Sequence, residues 1–239
     1  MKILIVLPAL NEEKIIAANV KKLVDFCRQN LGLGWQIVIA DNQSTDRTAE
    51  LASQMVNYYP NVSYLNVSKR GKGAAIRAGW NHSRADIYCF MDADLATDLS
   101  ALLELIVAFT QGADLVIGNR FHPHSRVKRS WLRKIFSFGY RFVLKLFLGL
   151  KIKDAPCGFK AISQDIKDNV LTLVEDDQWF FDSELLIWAN KLGYRIKDIP
   201  VIWHDPREGL DKTRVKPVSL SLAYFRQVLL IRKHLKKYG

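Results

Sequence analysis

The sequence predicts an α/β fold with a mainly parallel sheet flanked by helices, and three observations support this prediction. The first half of the chain alternates short apolar runs with longer amphipathic stretches, an order typical of βαβ units. Its 239 residues, 49% of them hydrophobic, are enough to build a substantial core. Several apolar runs also stop abruptly at acidic or polar residues, as strands do when their carboxyl ends form a binding site.

The elements of the first half follow one another in a regular order. Apolar runs predict strands, and the amphipathic stretches between them predict helices. We expect Ser44 or Thr45 to cap the second helix, because short hydroxyl side chains accept hydrogen bonds from the first amides of a helix. The predicted strands are 2–7, 36–40, 62–67, 86–91 and 114–118, and the predicted helices are 12–30, 46–58, 72–83 and 99–111.

Beyond residue 119 the pattern changes, and the predicted elements are less regular. We interpret 1–239 as a single domain, in which the second half elaborates one sheet. The predicted elements are an amphipathic helix at 130–148, a loop at 153–159, a helix around 182–192, a strand at 196–203, a basic loop at 204–217 and a terminal helix at 219–237.

The cysteines and the apolar runs argue against a secreted disulfide-rich protein, a zinc protein and a membrane-spanning protein. Cys27, Cys89 and Cys157 are widely spaced, so we expect neither a disulfide framework nor a zinc site, and a reducing cytosol fits best. The N-terminus runs directly into an apolar strand, which argues against a signal peptide. No run of about eighteen uncharged apolar residues occurs, so we expect no helix that spans a bilayer.

The net charge of +11 is concentrated in one segment of the chain. Residues 120–160 contain 11 Lys and Arg residues but a single acidic residue, Asp154. A local positive field of this kind indicates a polyanionic partner such as nucleic acid, an anionic membrane or a phosphate-bearing substrate.

The basic segment is also amphipathic and aromatic between residues 131 and 148. At 100° per residue its cations gather on one side, opposite a face of Phe, Leu and Val. A helix packed against a core is the usual interpretation, but the aromatic content and the lack of acids are typical of a helix in a membrane interface. We expect no nucleic-acid partner, because no nucleic-acid-binding motif accompanies the charge.

The apolar run at 86–91 ends at two carboxylates, Asp92 and Asp94. Desolvated carboxylates are costly unless they are paired or bound to a metal ion, so buried strands rarely end in this way for structural reasons alone. At the carboxyl end of a parallel strand, the pair fits a Mg²⁺ or Mn²⁺ site. A solvated acidic turn is the alternative, and these residues alone leave it open.

Three further strand ends carry polar residues. The run Pro8-Ala9-Leu10-Asn11-Glu12 fits a site or an ordinary turn into a helix equally well. Asp41 follows the second strand, where acids of nucleotide-binding sheets often contact ribose or base. Lys72 stands between Gly71 and Gly73 at a helix start, which would permit close approach of a ligand and favour an anion. A flexible basic turn is the alternative for this last run.

Taken together and in this order, the four strand ends resemble the family-two glycosyltransferases of GT-A fold. The later runs Asp154-Ala155-Pro156-Cys157-Gly158-Phe159-Lys160 and Trp179-Phe180-Phe181-Asp182-Ser183-Glu184-Leu185-Leu186 narrow the resemblance to the polyprenyl-phosphate sugar synthases, the dolichyl-phosphate mannose and glucose synthase group. The resemblance implies inverting transfer of a hexose from a nucleotide-sugar to a polyprenyl phosphate at a membrane surface. Residues 1–119 would bind the nucleotide-sugar, and 120–239 would form the acceptor and membrane-side half.

The resemblance also implies roles on the donor side. Asp94 would bind a Mg²⁺ or Mn²⁺ ion that bridges the donor diphosphate, with Asp92 as a second candidate ligand. Arg214 would close over the donor phosphates. The other implied donor contacts are Pro8, Leu10, Glu12, Asp41, Lys72, Asp92 and Ala93.

On the acceptor side, the resemblance implies that Arg120, Arg133 and Ser137 hold the acceptor phosphate. Asp182 and Glu184 would order the site or orient those arginines, and Asp182 would act as a base only if the acceptor were a hydroxyl. The candidate catalytic residues are therefore Asp94, Asp182, Arg120 and Arg133.

Two features depart from relatives of this kind. Ala96 stands where many mannose-type members carry a Gln metal ligand, and Ala96-Thr97 is similar to glucose-type members, which favours a UDP-glucose type of donor over GDP-mannose. The Gln-x-x-Arg-Trp run of processive synthases is absent, which argues against a polymerase.

Two other functions remain open from the sequence. The first is a family-two glycosyltransferase that acts on a saccharide or another hydroxyl acceptor, and the second is a non-catalytic membrane-associated subunit. We expect peripheral association with the cytoplasmic face of a membrane, and the sequence leaves open whether a membrane-spanning partner subunit takes part.

Overall fold

The computed structural model describes residues 1–32, 34–128, 154–204, 227–228 and 230–235. The strands are β1 (Lys2–Ala9), β2 (Gly34–Asp41), β3 (Val62–Asn66), β4 (Ile87–Met91), β5 (Leu115–Asn119), β6 (Arg126–Lys128), β7 (Phe159–Ser163), β8 (Ile196–Pro200) and β9 (Ile202–His204). The helices are α1 (Ile16–Asn30), α2 (Thr48–Tyr58), α3 (Lys72–Trp80), α4 (Ala101–Thr110), α5 (Gln164–Asn169) and α6 (Phe181–Lys191), with a short 3-10 helix at Leu171–Leu173. Residues 227–228 and 230–235 are helical.

Within the described residues, seven strands form one sheet in the order β3-β2-β1-β4-β7-β5-β8. Neighbouring strands are parallel except around β7, which runs antiparallel to both β4 and β5. A separate pair is formed by β6 and β9. The predicted mainly parallel α/β sheet is therefore confirmed, and its first five strands lie where the apolar runs predicted them.

Each strand sends successive side chains to opposite faces of the sheet, and helices cover both faces. In β1, Ile3 and Ile5 belong to an apolar cluster with α1, α2 and α4. Leu4 and Val6 belong to a second cluster on the other face, formed with α3, α5 and α6. Parallel strands that are covered on both faces read as continuous apolar runs, which is why the sequence revealed them.

The second half of the sheet differs from the prediction in two places. The single strand predicted at 196–203 is divided, since β8 pairs with β5 whereas β9 leaves the sheet to pair with β6. The sequence also failed to predict β7, which lies between β4 and β5 and is almost fully buried. A lysine at its second position, Lys160, interrupts the apolar run that would have indicated a strand.

The predicted cap of α2 was also wrong, because the helix begins later, at Thr48. Ser44 instead accepts a hydrogen bond from the amide of Asn11 at 2.8 Å and donates one to Asp41. The amide of Thr48 donates to the carboxylate of Asp46 at 3.0 Å. The hydroxyl of Ser44 therefore joins two strand ends rather than capping a helix.

Several predictions concern residues outside the described ranges. These are the amphipathic helix at 130–148, the loop at 204–217 beyond His204, and the site residues Arg133, Ser137 and Arg214. The terminal helix predicted at 219–237 is described in part: Val228 and Ile231 are buried in the cluster with α3 and α6. Among the described residues, none of the helices has the length and hydrophobicity that a bilayer crossing requires.

Candidate active site

The turns that follow β1 and β2 are joined at the carboxyl edge of the sheet. Parallel pairing places Ala9 beside Asp41, so the residues that follow both strands emerge together. The side chain of Asn11, which has a φ of 53°, accepts a hydrogen bond from the amide of Thr45 at 2.7 Å. The amide of Glu12 donates to the Thr48 hydroxyl at 2.7 Å. The predicted donor residues Pro8, Leu10 and Glu12 are thereby brought to the side of Asp41.

Asp41, the last residue of β2, lies beside these two turns and is buried. Its carboxylate accepts hydrogen bonds from the Ser44 amide and from the Tyr64 hydroxyl, both at 3.2 Å. Burial, together with the neighbouring Asp41 carboxylate, raises the pKa of the Tyr64 phenol. A buried carboxylate that accepts several hydrogen bonds is held in one orientation.

The two carboxylates that follow β4 have different surroundings. The side chain of Asp92 is 42% exposed, and its backbone amide donates to the carbonyl of Gly158 at 3.0 Å. Asp94 accepts a hydrogen bond from the amide of Ala96 at 3.1 Å, across a turn in which Leu95 has a φ of 50°. Both acids therefore lie at the same edge as Asp41, as the parallel topology predicts.

Gly158 packs directly against Asp92. A Cβ atom on Gly158 would lie 1.8 Å from the nearer carboxylate oxygen of Asp92, a distance at which no atom fits. The close approach explains why a glycine occurs at this position of the Asp154–Lys160 run.

Lys72 forms the other side of the site from the first residue of α3. Its ammonium lies 2.8 Å from the Asp92 carboxylate and 3.6 Å from that of Asp182, and its side chain is only 11% exposed. Burial alone would lower the pKa of Lys72, but the two carboxylates outweigh it and raise the pKa above its ordinary value. Lys72 is therefore a fixed positive charge beside Asp92.

The two glycines that flank Lys72 pack against the loop that leads into α6. The amide of Gly73 donates to the carbonyl of Gln178 at 3.2 Å, and that of Ala74 donates to the carbonyl of Asp177 at 2.9 Å. A Cβ atom on Gly73 would lie 2.6 Å from the Cβ of Phe181. The amides of Gly73 and Ala74 therefore bind the loop that leads into α6, and binding of an anion at this turn stays a prediction that rests on the Lys72 side chain.

Asp182, on the first turn of α6, is buried between two lysines. One of its oxygens lies 3.0 Å from the ammonium of Lys160, and the other faces Lys72. Lys160 is fully buried and also donates to the carbonyl of Cys157. Lys160 was not predicted as a site residue, and the signal for it in the sequence was a lysine within the otherwise apolar run from Phe159 to Ile162.

Glu184 and Asp182 bind groups other than Arg120. Glu184 accepts a hydrogen bond from the amide of Asp176 at 2.7 Å, and burial raises the pKa of its carboxyl. Asp182 pairs with lysines and Glu184 with a backbone amide, whereas the Arg120 guanidinium pairs with Asp154, so the expectation that these two acids orient the arginines is not supported for Arg120.

Arg120 follows β5 and forms a two-pronged ion pair with Asp154. Its Nε and one terminal nitrogen each lie 2.8 Å from the carboxylate, and its backbone amide donates to the same group at 2.8 Å. Burial opposes the charge, but the Asp154 carboxylate outweighs it and raises the pKa of the guanidinium. The ring of Trp203 lies 5.6 Å away. Asp154, which was not predicted as a site residue, therefore fixes the direction of Arg120.

Cys157 lies among these charged groups without being reactive itself. Its side chain is fully buried, and burial raises the pKa of the thiol to about 11. Because only the thiolate is a good nucleophile, the thiol is inert near neutral pH. The loop from Asp154 to Lys160 thus supplies structure and charge to the site, not a nucleophile.

The residues at the edge of the sheet fit a divalent cation that is shared with a substrate. Among the described residues, no group of three or more His, Cys, Asp and Glu side chains forms a metal site by itself. Mg²⁺ is commonly held by one or two carboxylates together with substrate phosphates and water, and Asp92 and Asp94 supply such carboxylates. The carbonyl of Ala96 accepts a hydrogen bond from the amide of His204 at 2.9 Å, which ties β9 to this turn.

Comparison with known proteins agrees with this geometry. Glycosyltransferase AglD of Haloferax volcanii is 31% identical over 96% of this chain, which spans 36% of the length of AglD. The dolichyl-phosphate beta-glucosyltransferase of Saccharomyces cerevisiae is 29% identical, and the match covers 95% of this chain and 73% of the yeast protein.

A solved structure shows the same fold. Glucosyl-3-phosphoglycerate synthase from Mycobacterium tuberculosis, in complex with Mn²⁺, UDP and phosphoglyceric acid, superposes with a TM-score of 0.66 at 21% identity, over 97% of this chain and 78% of that protein. The family model for Glycosyl transferase family 2 matches residues 4–171, which is more than half of the chain. The chain therefore belongs to glycosyl transferase family 2 and has the GT-A fold.

Proposed function

We propose that the protein is an inverting hexosyltransferase that transfers a sugar from a nucleotide-sugar to a polyprenyl phosphate. The observation that carries this proposal is the meeting of Asp92, Asp94 and Lys72 at the carboxyl edge of the sheet. Similarity over almost the whole chain to the yeast dolichyl-phosphate beta-glucosyltransferase supports the choice of acceptor.

The donor would lie along the edge where β1, β2 and β4 end. Asp94 would hold a Mg²⁺ or Mn²⁺ ion, with Asp92 as the second candidate ligand, and this ion would offset negative charge on the leaving diphosphate. Lys72 would add a second positive charge on the same side, and Arg214 would close over the phosphates. Ala96 and the glucosyltransferases among the relatives favour UDP-glucose over GDP-mannose.

The acceptor phosphate would attack the anomeric carbon from the face opposite the leaving group, which inverts the configuration. A phosphate monoester is largely dianionic near neutral pH, because its second pKa is about 6. Such an acceptor needs no general base, and Asp182, paired with Lys72 and Lys160, is not required as one. Arg120, held by Asp154, would position the acceptor phosphate together with Arg133 and Ser137.

The basic segment supports a place at a membrane. Residues 120–160 carry most of the net positive charge, and anionic lipid headgroups attract such segments. We propose peripheral association with the cytoplasmic face, with the amphipathic stretch at 130–148 in contact with the lipid. A membrane-spanning partner subunit is compatible with this arrangement.

A transfer assay tests the proposed function. The purified protein is incubated with UDP-glucose or GDP-mannose, Mn²⁺ or Mg²⁺, and either a short-chain polyprenyl phosphate or free sugars. We expect transfer to the polyprenyl phosphate, with UDP-glucose as the better donor. Transfer to hydroxyl acceptors alone would replace the proposal with the alternative acceptor class, and the absence of any transfer would contradict the proposal.

The contact between Gly158 and Asp92 gives a further prediction. In Gly158→Ala, the new methyl group displaces the Asp92 side chain, and kcat/KM for the donor is expected to fall by about ten- to a hundredfold. The free energy of unfolding should change by about 1 kcal/mol or less, because the displaced carboxylate is partly exposed and Lys72 keeps Asp182 as a partner.

Gly32→Ala is the matched control for this prediction, because no atom lies within 4 Å of the added methyl group. The control should retain wild-type kinetics and stability. If Gly158→Ala kept the wild-type kcat/KM, the position of Asp92 would not matter for turnover.

A further inference from the structure

Lys160 is a buried charge that the proposed reaction does not use directly. It lies at the second position of β7, opposite Phe90 of β4, and its ammonium is 5.4 Å from the centre of that ring. Its side chain is fully buried, and its hydrogen bonds go to the Asp182 carboxylate and the carbonyl of Cys157. A buried ammonium is costly unless it is paired, so a lysine here requires Asp182.

The pair belongs to a row of four charges of alternating sign. Lys160 contacts one oxygen of Asp182 at 3.0 Å, and the other oxygen of Asp182 lies 3.6 Å from Lys72. Lys72 in turn lies 2.8 Å from Asp92, whose side chain is the most exposed of the four. The row runs from the core to the open edge of the site, and its formal charges cancel.

The geometry makes Lys160 responsible for the orientation of Asp182. Because Lys160 occupies one carboxylate oxygen, only the other is directed to Lys72. Without Lys160, both oxygens of Asp182 would be available to Lys72, and its ammonium would be drawn away from Asp92 toward the core. The ring of Phe90 is shared by both ammonium groups, at 5.2 and 5.4 Å, so the two lysines also pack on the same residue.

We propose that Lys160 is a positioning residue for the donor. It fixes Asp182, Asp182 holds Lys72 beside Asp92, and the ammonium of Lys72 is thereby placed to bind the diphosphate of a nucleotide-sugar. This inference rests on the proposed function, because it assumes that a nucleoside diphosphate lies against Lys72.

Binding of UDP and GDP in the presence of Mn²⁺, measured by calorimetry, tests the inference. Lys160→Met is expected to raise the Kd of the preferred nucleotide about tenfold, as the loss of one charge-assisted hydrogen bond would. In a Lys72→Met background, the same change should have almost no further effect on Kd, because Lys160 acts through Lys72. In the transfer assay, KM for the donor should rise more than kcat falls.

Lys167→Met is the matched control, since Lys167 also lies over an aromatic ring of β4, 5.2 Å from Tyr88, but outside the row of charges. It should leave the Kd unchanged. A merely structural role for Lys160 would lower the melting temperature and leave the Kd of the folded protein at the wild-type value, and that result would overturn the inference. An equal rise in Kd in both backgrounds would overturn it as well.

A charge-neutral double variant covers the case in which Lys160→Met does not fold. Lys160→Met with Asp182→Asn removes both members of the buried pair, a change that proteins often tolerate. We expect this variant to fold. Its Kd for the nucleotide should remain higher than that of the wild-type protein, because Lys72 has lost its ion pair with Asp182. Wild-type affinity in the double variant would contradict the inference. If the wild-type protein itself bound neither UDP nor GDP, the proposed function would fail and the inference with it.

Discussion

Replacement of Asp94 by Asn is expected to abolish metal-dependent turnover, with a fall in kcat/KM of about a thousandfold or more. The fold should persist, because the amide oxygen of Asn can still accept the hydrogen bond that Asp94 accepts from Ala96. The change therefore removes a negative charge and a hard oxygen ligand with little change in shape. Transfer kinetics, Mn²⁺ binding and the melting temperature should be measured on the same preparation.

Asp98→Asn is a suitable control, because Asp98 forms a similar local turn by accepting hydrogen bonds from Ser100. It should retain metal-dependent turnover. Wild-type activity that is undiminished in excess chelator would contradict the metal role of Asp94, and so would an Asp94→Asn variant with normal Mn²⁺ affinity.

Among the variants proposed for this protein, Asp154→Ala is expected to lose the most stability. Its free energy of unfolding should decrease by about 3–5 kcal/mol. Asp154 is fully buried, and the Arg120 side chain that it binds is 9% exposed. Removal of the carboxylate leaves a buried guanidinium without its partner, whereas the intact pair satisfies its Nε and one terminal nitrogen. Chemical denaturation of both proteins measures the difference.

The chain offers a control with almost the same geometry at the surface. Asp114 accepts hydrogen bonds from the backbone amide, the Nε and a terminal nitrogen of Arg195, as Asp154 does from Arg120. The Arg195 side chain is largely exposed, so its charge stays solvated when Asp114 is replaced by Ala. We expect a much smaller loss of stability in this control. Equal losses in the two variants would show that burial of the Arg120 pair does not matter.

The parts of the fold that the sequence predicted depend on local patterns. The apolar runs at β1, β2 and β4 are continuous because both faces of the sheet are covered, and their acidic ends mark the same edge. The sequence alone therefore groups Asp41, Asp92 and the other predicted donor-side residues at one edge of the sheet. Parallel topology alone brings them together.

The parts that were missed depend on contacts between distant residues. Lys160 is paired with Asp182 on a helix 22 residues later, and neither residue shows locally that the other is its partner. Gly71 and Gly73 have the composition of a ligand-binding turn, but the loop before α6 occupies the space next to them. Ser44 has the character of a helix cap, yet the turn after β1 lies within its reach and binds it instead.

The antiparallel course of β7 has a consequence for protein engineering. Because β5 ends at Asn119 and β7 begins beside it, with Ile117 opposite Lys160, the intervening chain leaves and re-enters the sheet at neighbouring positions. The pairing of β5 with β7 fixes both ends of this connecting segment, here called the excursion. The entropy of closing a loop grows only slowly with its length. An exchange within this excursion is therefore expected to leave the sheet in place, provided that residues 126–128, which pair with β9, and Asp154 and Gly158, which contact Arg120 and Asp92, are kept.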